Sequence, residues 1–406
     1  MPNDSKISRY EKLPRNVFFL SLVSLLNDTS SEIIYPLLPV FLTITLGTSP
    51  FAIGLIEGLA ESVSSMLKLL SGRYSDRIRK RKPLVFLGYS LSSIARPLLA
   101  FTTSWHQVLL VRLADRLGKG IRSAPRDALL ASEVPKEVRG LAFGLNRAAD
   151  NFGAVIGPII SLVLILLLAE DFNNPSPEEY KKIFLIASIP AFLSLIVVFF
   201  FVKDAKPNNT DGKIVIKFSL KDFDPNFKKF LLAVSIFTLS NSTDAFLLLK
   251  AQQAGIATGL LPLLWVMLHI SKVISSLVGG ELSDRFGRKK LILSGWVLYS
   301  LVYLGFAFAS KDWQIWTLFL IYGFYFGFTE GTERAFIADL VPEEKRGTAF
   351  GLYAFAFSIT VFPASLIFGI IWNLANSASA FIFGAFLSMC AVILLMNIKT
   401  SRLNQN

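Results

Sequence analysis

The 406-residue chain is 53% hydrophobic with 36 phenylalanines and a mean hydropathy of +0.54, far more apolar than the core of a water-soluble domain requires. Its formal charge of +12 sits in short loops between apolar runs, not on an arm or a polar helix; this sets nucleic-acid binding aside and fits the placement of Lys and Arg on cytoplasmic loops during membrane insertion. The lone Cys390 excludes an intrachain disulfide framework and a cysteine metal site.

Residues 1–15 are polar, and the run that follows is too long for a signal peptide and lacks a small-residue cleavage site, so a retained cytoplasmic tail is expected. A helix needs about 20 apolar residues to cross ~30 Å of hydrocarbon. On that basis the first half carries spans at 16–46, 50–73, 83–103, 105–125, 139–169 and 180–202. The second carries spans at 229–249, 256–280, 289–309, 312–337, 346–373 and 377–398. Lipid cannot satisfy open backbone groups, and the runs are too long for barrel strands, so these spans are helices.

Cations crowd the connections at Arg73–Lys82 and Arg285–Lys290, which places both, the termini and the linker 203–228 on the cytoplasmic side. The longest loop on the other side carries Glu170, Asp171, Glu178 and Glu179 instead. SGRYSDRIRKRK at 71–82 recurs as GGELSDRFGRKK at 279–290, and VPKEVRGLAFGL at 134–145 recurs as VPEEKRGTAFGL at 341–352. Two matches at nearly one offset predict an all-α polytopic membrane protein of about twelve helices. It is built as two six-helix bundles, 16–202 and 229–398, about a pseudo-two-fold axis, with a cytoplasmic tail at 399–406.

The repeated loops resemble the G-x-x-x-D-R-x-G-R-R signature of the major facilitator superfamily. Gly280, Asp284, Arg285, Gly287, Arg288 and Lys289 fit it in the second half, and Gly72, Asp76, Arg77, Lys80 and Arg81 in the first, where Arg79 stands in place of a glycine. The resemblance implies a cytoplasmic latch: Gly for close helix approach, Asp at a helix N-terminus, Arg pairing with carboxylates of the facing bundle. Arg112 with Gly118 and Gly120 is similar to the helix-four motif of proton-coupled members. Gly144, Gly153, Gly157 and Pro158 resemble the G-x8-G-x3-G-P motif of the antiporter branch, whose glycines permit close packing and whose proline permits a bend. At the matching place in the second half only Pro363 remains.

Ionisable residues inside spans mark ion or substrate routes. Asp28 lies about 18 Å along its helix, near the midplane, with Glu32 one turn on. Glu57, Glu61 and Lys68 fall within about 40° of one another and form a polar stripe. Glu57 and Arg112 both lie about 10 Å deep, so a pair between them is feasible. Asp28, Glu32, Glu57, Glu61 and Arg112 are the candidate proton-coupling residues, with Asp28 or Glu61 as the expected carrier and Arg112 as tuner. Arg96, Arg147, Asp150, Asp244, Lys272, Glu330, Glu333 and Arg334 are expected to be buried as well. In the superfamily helices one, four, seven and ten line the cavity, which implies Asp28, Arg112, Asn241, Asp244, Glu330 and Glu333 as substrate-binding residues. His269 reads as a packed hydrogen-bonding residue.

These features lead to an expectation of secondary transport of a small solute across the bacterial inner membrane by a monomer. Proton-driven efflux of a drug-like or metabolite substrate comes first, with sodium as the alternative coupling ion. Uptake of an organic anion or siderophore by symport is the second reading, and a non-transporting membrane receptor the third. With two histidines, no nucleotide-binding glycine loop and no metal-ligand cluster, neither an enzyme nor a cofactor is expected.

Overall fold

A computed structural model describes residues 13–78, 80–132, 134, 135, 138–204, 220 and 223–398, without the side chains of 76–78 and 344. The N-terminal tail through residue 12, Arg79, most of the linker and the tail at 399–406 lie outside the described residues. The described residues form helices without strands. Among the described residues nine segments are apolar enough to span a membrane: Arg15–Thr45 (α1), Lys82–Phe101 (α3), Arg139–Leu168 (α5), Pro177–Phe200 (α6), Pro225–Gln253 (α7), Thr258–Phe286 (α8), Arg288–Phe308 (α9), Arg346–Leu374 (α11) and Ser377–Met396 (α12). Pro50–Ile78 (α2), Trp105–Ser132 (α4) and Asp312–Leu340 (α10) are as long but more highly charged, which completes the expected set.

The spans begin where helix starts are chemically favoured. Asp224 accepts a 2.7 Å hydrogen bond from the Asn226 amide ahead of Pro225, and Ser176 and Glu179 form a capping box at α6. The helices α2, α4 and α8 run past their predicted ends at 73, 125 and 280, to Ile78, Ser132 and Phe286. Charged residues end an apolar run but not a helix, because adding a turn to an existing helix costs little. The repeated signature segment is therefore largely helix extension, and the predicted loop is confined to a few residues.

The chain divides into two compact units, Met1–Leu37 with Met66–Asp211, and Leu38–Ser65 with Gly212–Asn406. In the first, α1 packs on α5 and α6, and α3 packs on α4 and α6. In the second, α7 packs on α11 and α12, and α9 packs on α10 and α12. The second scheme is the first advanced by six helices. Individual bonds repeat too: Arg81 donates to the Ala128 carbonyl at 3.0 Å and Arg288 to the Ala335 carbonyl at 2.8 Å. Lys82 and Lys289 each reach a carbonyl at the end of the last helix of their unit, Phe199 and Met396, at 2.9 Å. Arg288 is also ion-paired with Asp339, so the partners seen for this signature arginine lie in its own unit.

Gly287 joins α8 to α9 with φ at +91°, a conformation that costs an L side chain about 1–2 kcal/mol. The Gly287→Ala protein should lose roughly that much stability, read as a lower unfolding midpoint in detergent, whereas Gly280→Ala, with open space around its Cα, should unfold like wild type.

Candidate functional site

Helix α4 carries Arg112, Asp115, Arg116, Arg122 and Arg126 within a sector of about 120°. Such a stripe cannot face hydrocarbon, and the structure turns it into the first unit. Arg96 of α3 bonds the Asp115 carboxylate through Nε at 3.2 Å and the Asn27 carbonyl of α1 at 2.9 Å, with only 3% of Arg96 exposed. Arg112 lies 3.8 Å from the second Asp115 oxygen and 5.9 Å from the Tyr35 ring. Arg122 donates to the Ser92 hydroxyl at 2.7 Å and lies over the Tyr89 ring at 4.5 Å. Ser31, Ile34, Arg96, Leu99, Val111, Arg112 and Asp115 line a small cavity of about 10 Å³, room for one water molecule.

Nearer the C-terminal end of α4, Arg126 donates to Ser24 at 2.8 Å and stands 3.7 Å from Asp150. Asp150 also accepts from Asn146 at 3.4 Å. Asp115, Arg116, Arg122 and Arg126 had no place among the candidate site residues. The excess of cations in a span otherwise required to be apolar was the available signal.

Gly153 and Gly157 of α5 bring this helix against the face of α1 that holds the coupling candidates. A Cβ at Gly153 would fall 2.7 Å from the Leu25 carbonyl and 3.2 Å from the Asp28 Cβ. A Cβ at Gly157 would fall 2.7 Å from both the Thr29 carbonyl and the Glu32 Cβ. Contacts this short leave room only for glycine. Pro158, also buried, follows directly. Gly144 faces open space and Gly72 lies near the Ala124 side chain.

Asp28 accepts from the Asn27 side-chain amide at 3.1 Å and, like Glu32, is half-buried. Glu57 is buried and Glu61 half-buried; both belong to the second unit with the first half of α2, whereas Arg112 belongs to the first. The side chains of Asp76 and Arg77 are outside the described residues, and Asp284 and Arg285 are exposed. Arg147, Glu330 and Arg334, expected to be buried, are exposed too, because the helical turn that buries Asn146 and Glu333 carries these neighbours to a different face.

The second unit is built around a break. Helix α7 stops at Ser240 and resumes at Ala245, which leaves Asn241–Asp244 non-helical. Three tyrosine hydroxyls bond to the break, one of them at its backbone. Tyr299 donates to the Ser240 carbonyl at 2.9 Å, Tyr325 accepts from the Asn241 side-chain amide at 2.9 Å, and Tyr322 donates to the Asp244 carboxylate at 2.8 Å. Asp244 faces Lys272 of α8 at 3.7 Å, and that ammonium sits 3.6 Å from the centre of the Phe326 ring. Glu333 of α10 is 7% exposed. It accepts from Trp296 Nε1 at 3.0 Å and from the Tyr353 hydroxyl at 2.7 Å. No group of metal-ligating residues occurs among the described residues.

The family model described as Major Facilitator Superfamily matches residues 20–359 and 230–403. An MFS-type transporter of Methanocaldococcus jannaschii is 37% identical over 391 residues, 95% of each chain. The multi-drug resistance efflux pump PmrA of Streptococcus pneumoniae is 27% identical over 375 residues, 88% of each chain. Among solved structures, the nucleoside transporter NupG matches with a TM-score of 0.78 at 14% identity, over 94% of this chain and 99% of that one. The D-xylose–proton symporter matches with a TM-score of 0.74 at 18% identity, over 96% of this chain and 98% of that one. At such identities the likeness is one of fold. With its all-α fold and its bacterial and archaeal relatives, this chain is a multi-pass membrane transporter that belongs to the major facilitator superfamily.

Proposed function

We propose that the chain exports a drug-like or metabolite molecule across the plasma membrane in exchange for protons. It works as a monomer with both termini cytoplasmic, by alternating access between its two six-helix halves. The observation that carries this reading is the seating of Gly153 and Gly157 on the turns of α1 that hold Asp28 and Glu32. A motif resembling that of antiporters thus touches the helix that carries the candidate proton carriers Asp28 and Glu32. Similarity to proteins named as multi-drug resistance efflux pumps supports the same direction. Asp28, Glu32, Glu57 and Glu61 carry protons, with Arg112 as tuner, and Asp28, Arg112, Asn241, Asp244, Glu330 and Glu333 meet the substrate. The signature residues and the α5 glycines act in gating.

Uptake of an organic anion is the second reading. It is favoured by four arginines of the first unit, Arg96, Arg112, Arg116 and Arg122, buried around the single carboxylate of Asp115.

Everted and right-side-out vesicles loaded with ethidium under an imposed pH gradient separate the two. Efflux predicts proton-driven accumulation in everted vesicles, lost in Asp28→Asn, and unchanged when sodium is withdrawn at fixed pH. Accumulation confined to right-side-out vesicles contradicts it.

The ion pair beneath the α7 break makes a separate prediction. Asp244→Asn strips Lys272 of its carboxylate and should cost about 2 kcal/mol of stability. Lys272→Met added to it should recover most of the loss, as read by unfolding midpoints.

A further inference from the structure

Glu333 differs from Asp115, the buried carboxylate of the first unit's arginine cluster. Asp115 is held by arginines, whereas Glu333 is held by two neutral donors, an indole N–H from α9 and a phenol from α11. Among the described residues no cation lies within ion-pairing distance of it. Its titratable and charged neighbours are Tyr353 on α11 and, on its own helix, Tyr325, Glu330 and Arg334. Asp244 of α7 and Lys272 of α8 are engaged with each other.

An ionised carboxylate withdrawn from water without a cation carries a cost that binding a proton removes. The two donors here suit both states. Trp296 Nε1–H can only donate, and serves one oxygen whether the group is charged or neutral. The Tyr353 hydroxyl can donate or accept. It donates to the ionised carboxylate, and once a proton from water is bound the carboxyl O–H donates to the phenol oxygen. One proton is taken up, one charge is lost, and no other bond breaks.

We propose that Glu333 is a proton-binding site of the second unit, with Tyr353 as the hydroxyl that reverses its hydrogen bond when the proton arrives. The site joins α9, α10 and α11, and Trp296 stacks on Phe237 of α7 at 4.6 Å, so the change of charge bears on four helices of one unit. The proposal rests on proton coupling as read above, and adds a carboxylate remote in sequence from those of α1 and α2.

Infrared difference spectroscopy on the purified full-length protein in lipid, as pH is stepped, reads the site directly. Wild type should give a titrating protonated-carboxyl C=O band that is lost in Glu333→Gln and returns in Glu333→Asp. In Tyr353→Phe the band should remain and shift in frequency, because its acceptor is gone; this variant keeps the carboxylate and carries the test if Glu333→Gln fails to fold. Bands unchanged in Glu333→Gln, or unshifted in Tyr353→Phe, would overturn the proposal. A titrating Glu333 in a chain whose vesicles exchange nothing for protons would leave the site standing and sink the efflux reading alone.

Discussion

A charged side chain that enters hydrocarbon must be met by a partner inside the protein, and this constraint organises the chain. Helix α4 is the clearest case: its arginine stripe would be untenable against lipid, and it exists because α3 supplies Ser92 and Tyr89 and α1 the Ser24 hydroxyl, while the helix itself supplies Asp115. Once those groups are in place, the packing of α3 on α4 and the approach of α1 follow. The glycines of α5 fit the same scheme, since they let a second helix lie against the polar face of α1 without a gap.

The two units share one packing scheme but meet the constraint with different chemistry. The first uses guanidinium groups around a carboxylate. The second has an aromatic core, in which Phe237 stacks on Trp296 and Tyr299 on Tyr303, and it spends its tyrosine hydroxyls on the break in α7. A broken helix frees backbone groups that need partners; the Tyr299 phenol serves one of them, the Ser240 carbonyl, and two further phenols hold the Asn241 and Asp244 side chains without adding charge. An apparently uniform repeat thus holds an ionic site and a largely neutral one. That difference is what separates Asp115, locked by cations, from Glu333, held by neutral donors.

Much of this was legible in the residues. The length of the apolar runs located the helices, and the paired segments at 71–82 and 279–290 exposed the repeat, because both features are local and covalently encoded. The signature arginines were legible as special, but the bonds of Arg81 and Arg288 to carbonyls of their own units were not. Motif spacing says nothing of which neighbour a long side chain reaches. Glu330, Glu333 and Arg334 illustrate the same limit: three charges within five residues, of which a helical turn buries one. The α7 break was visible only as the polar cluster Asn241–Asp244, with no sign of the tyrosines from α9 and α10 that complete it.

The claim that intramembrane charges are held by partners within a unit is tested most directly by a double-mutant cycle on Arg96 and Asp115. Replaced singly by Met or Leu, each should lower stability by about 3–5 kcal/mol, read from unfolding midpoints in detergent, and the double replacement should cost clearly less than the sum. Single replacements that leave the midpoint unmoved, or costs that simply add, would mean that these charges do not depend on one another, and the account would fail.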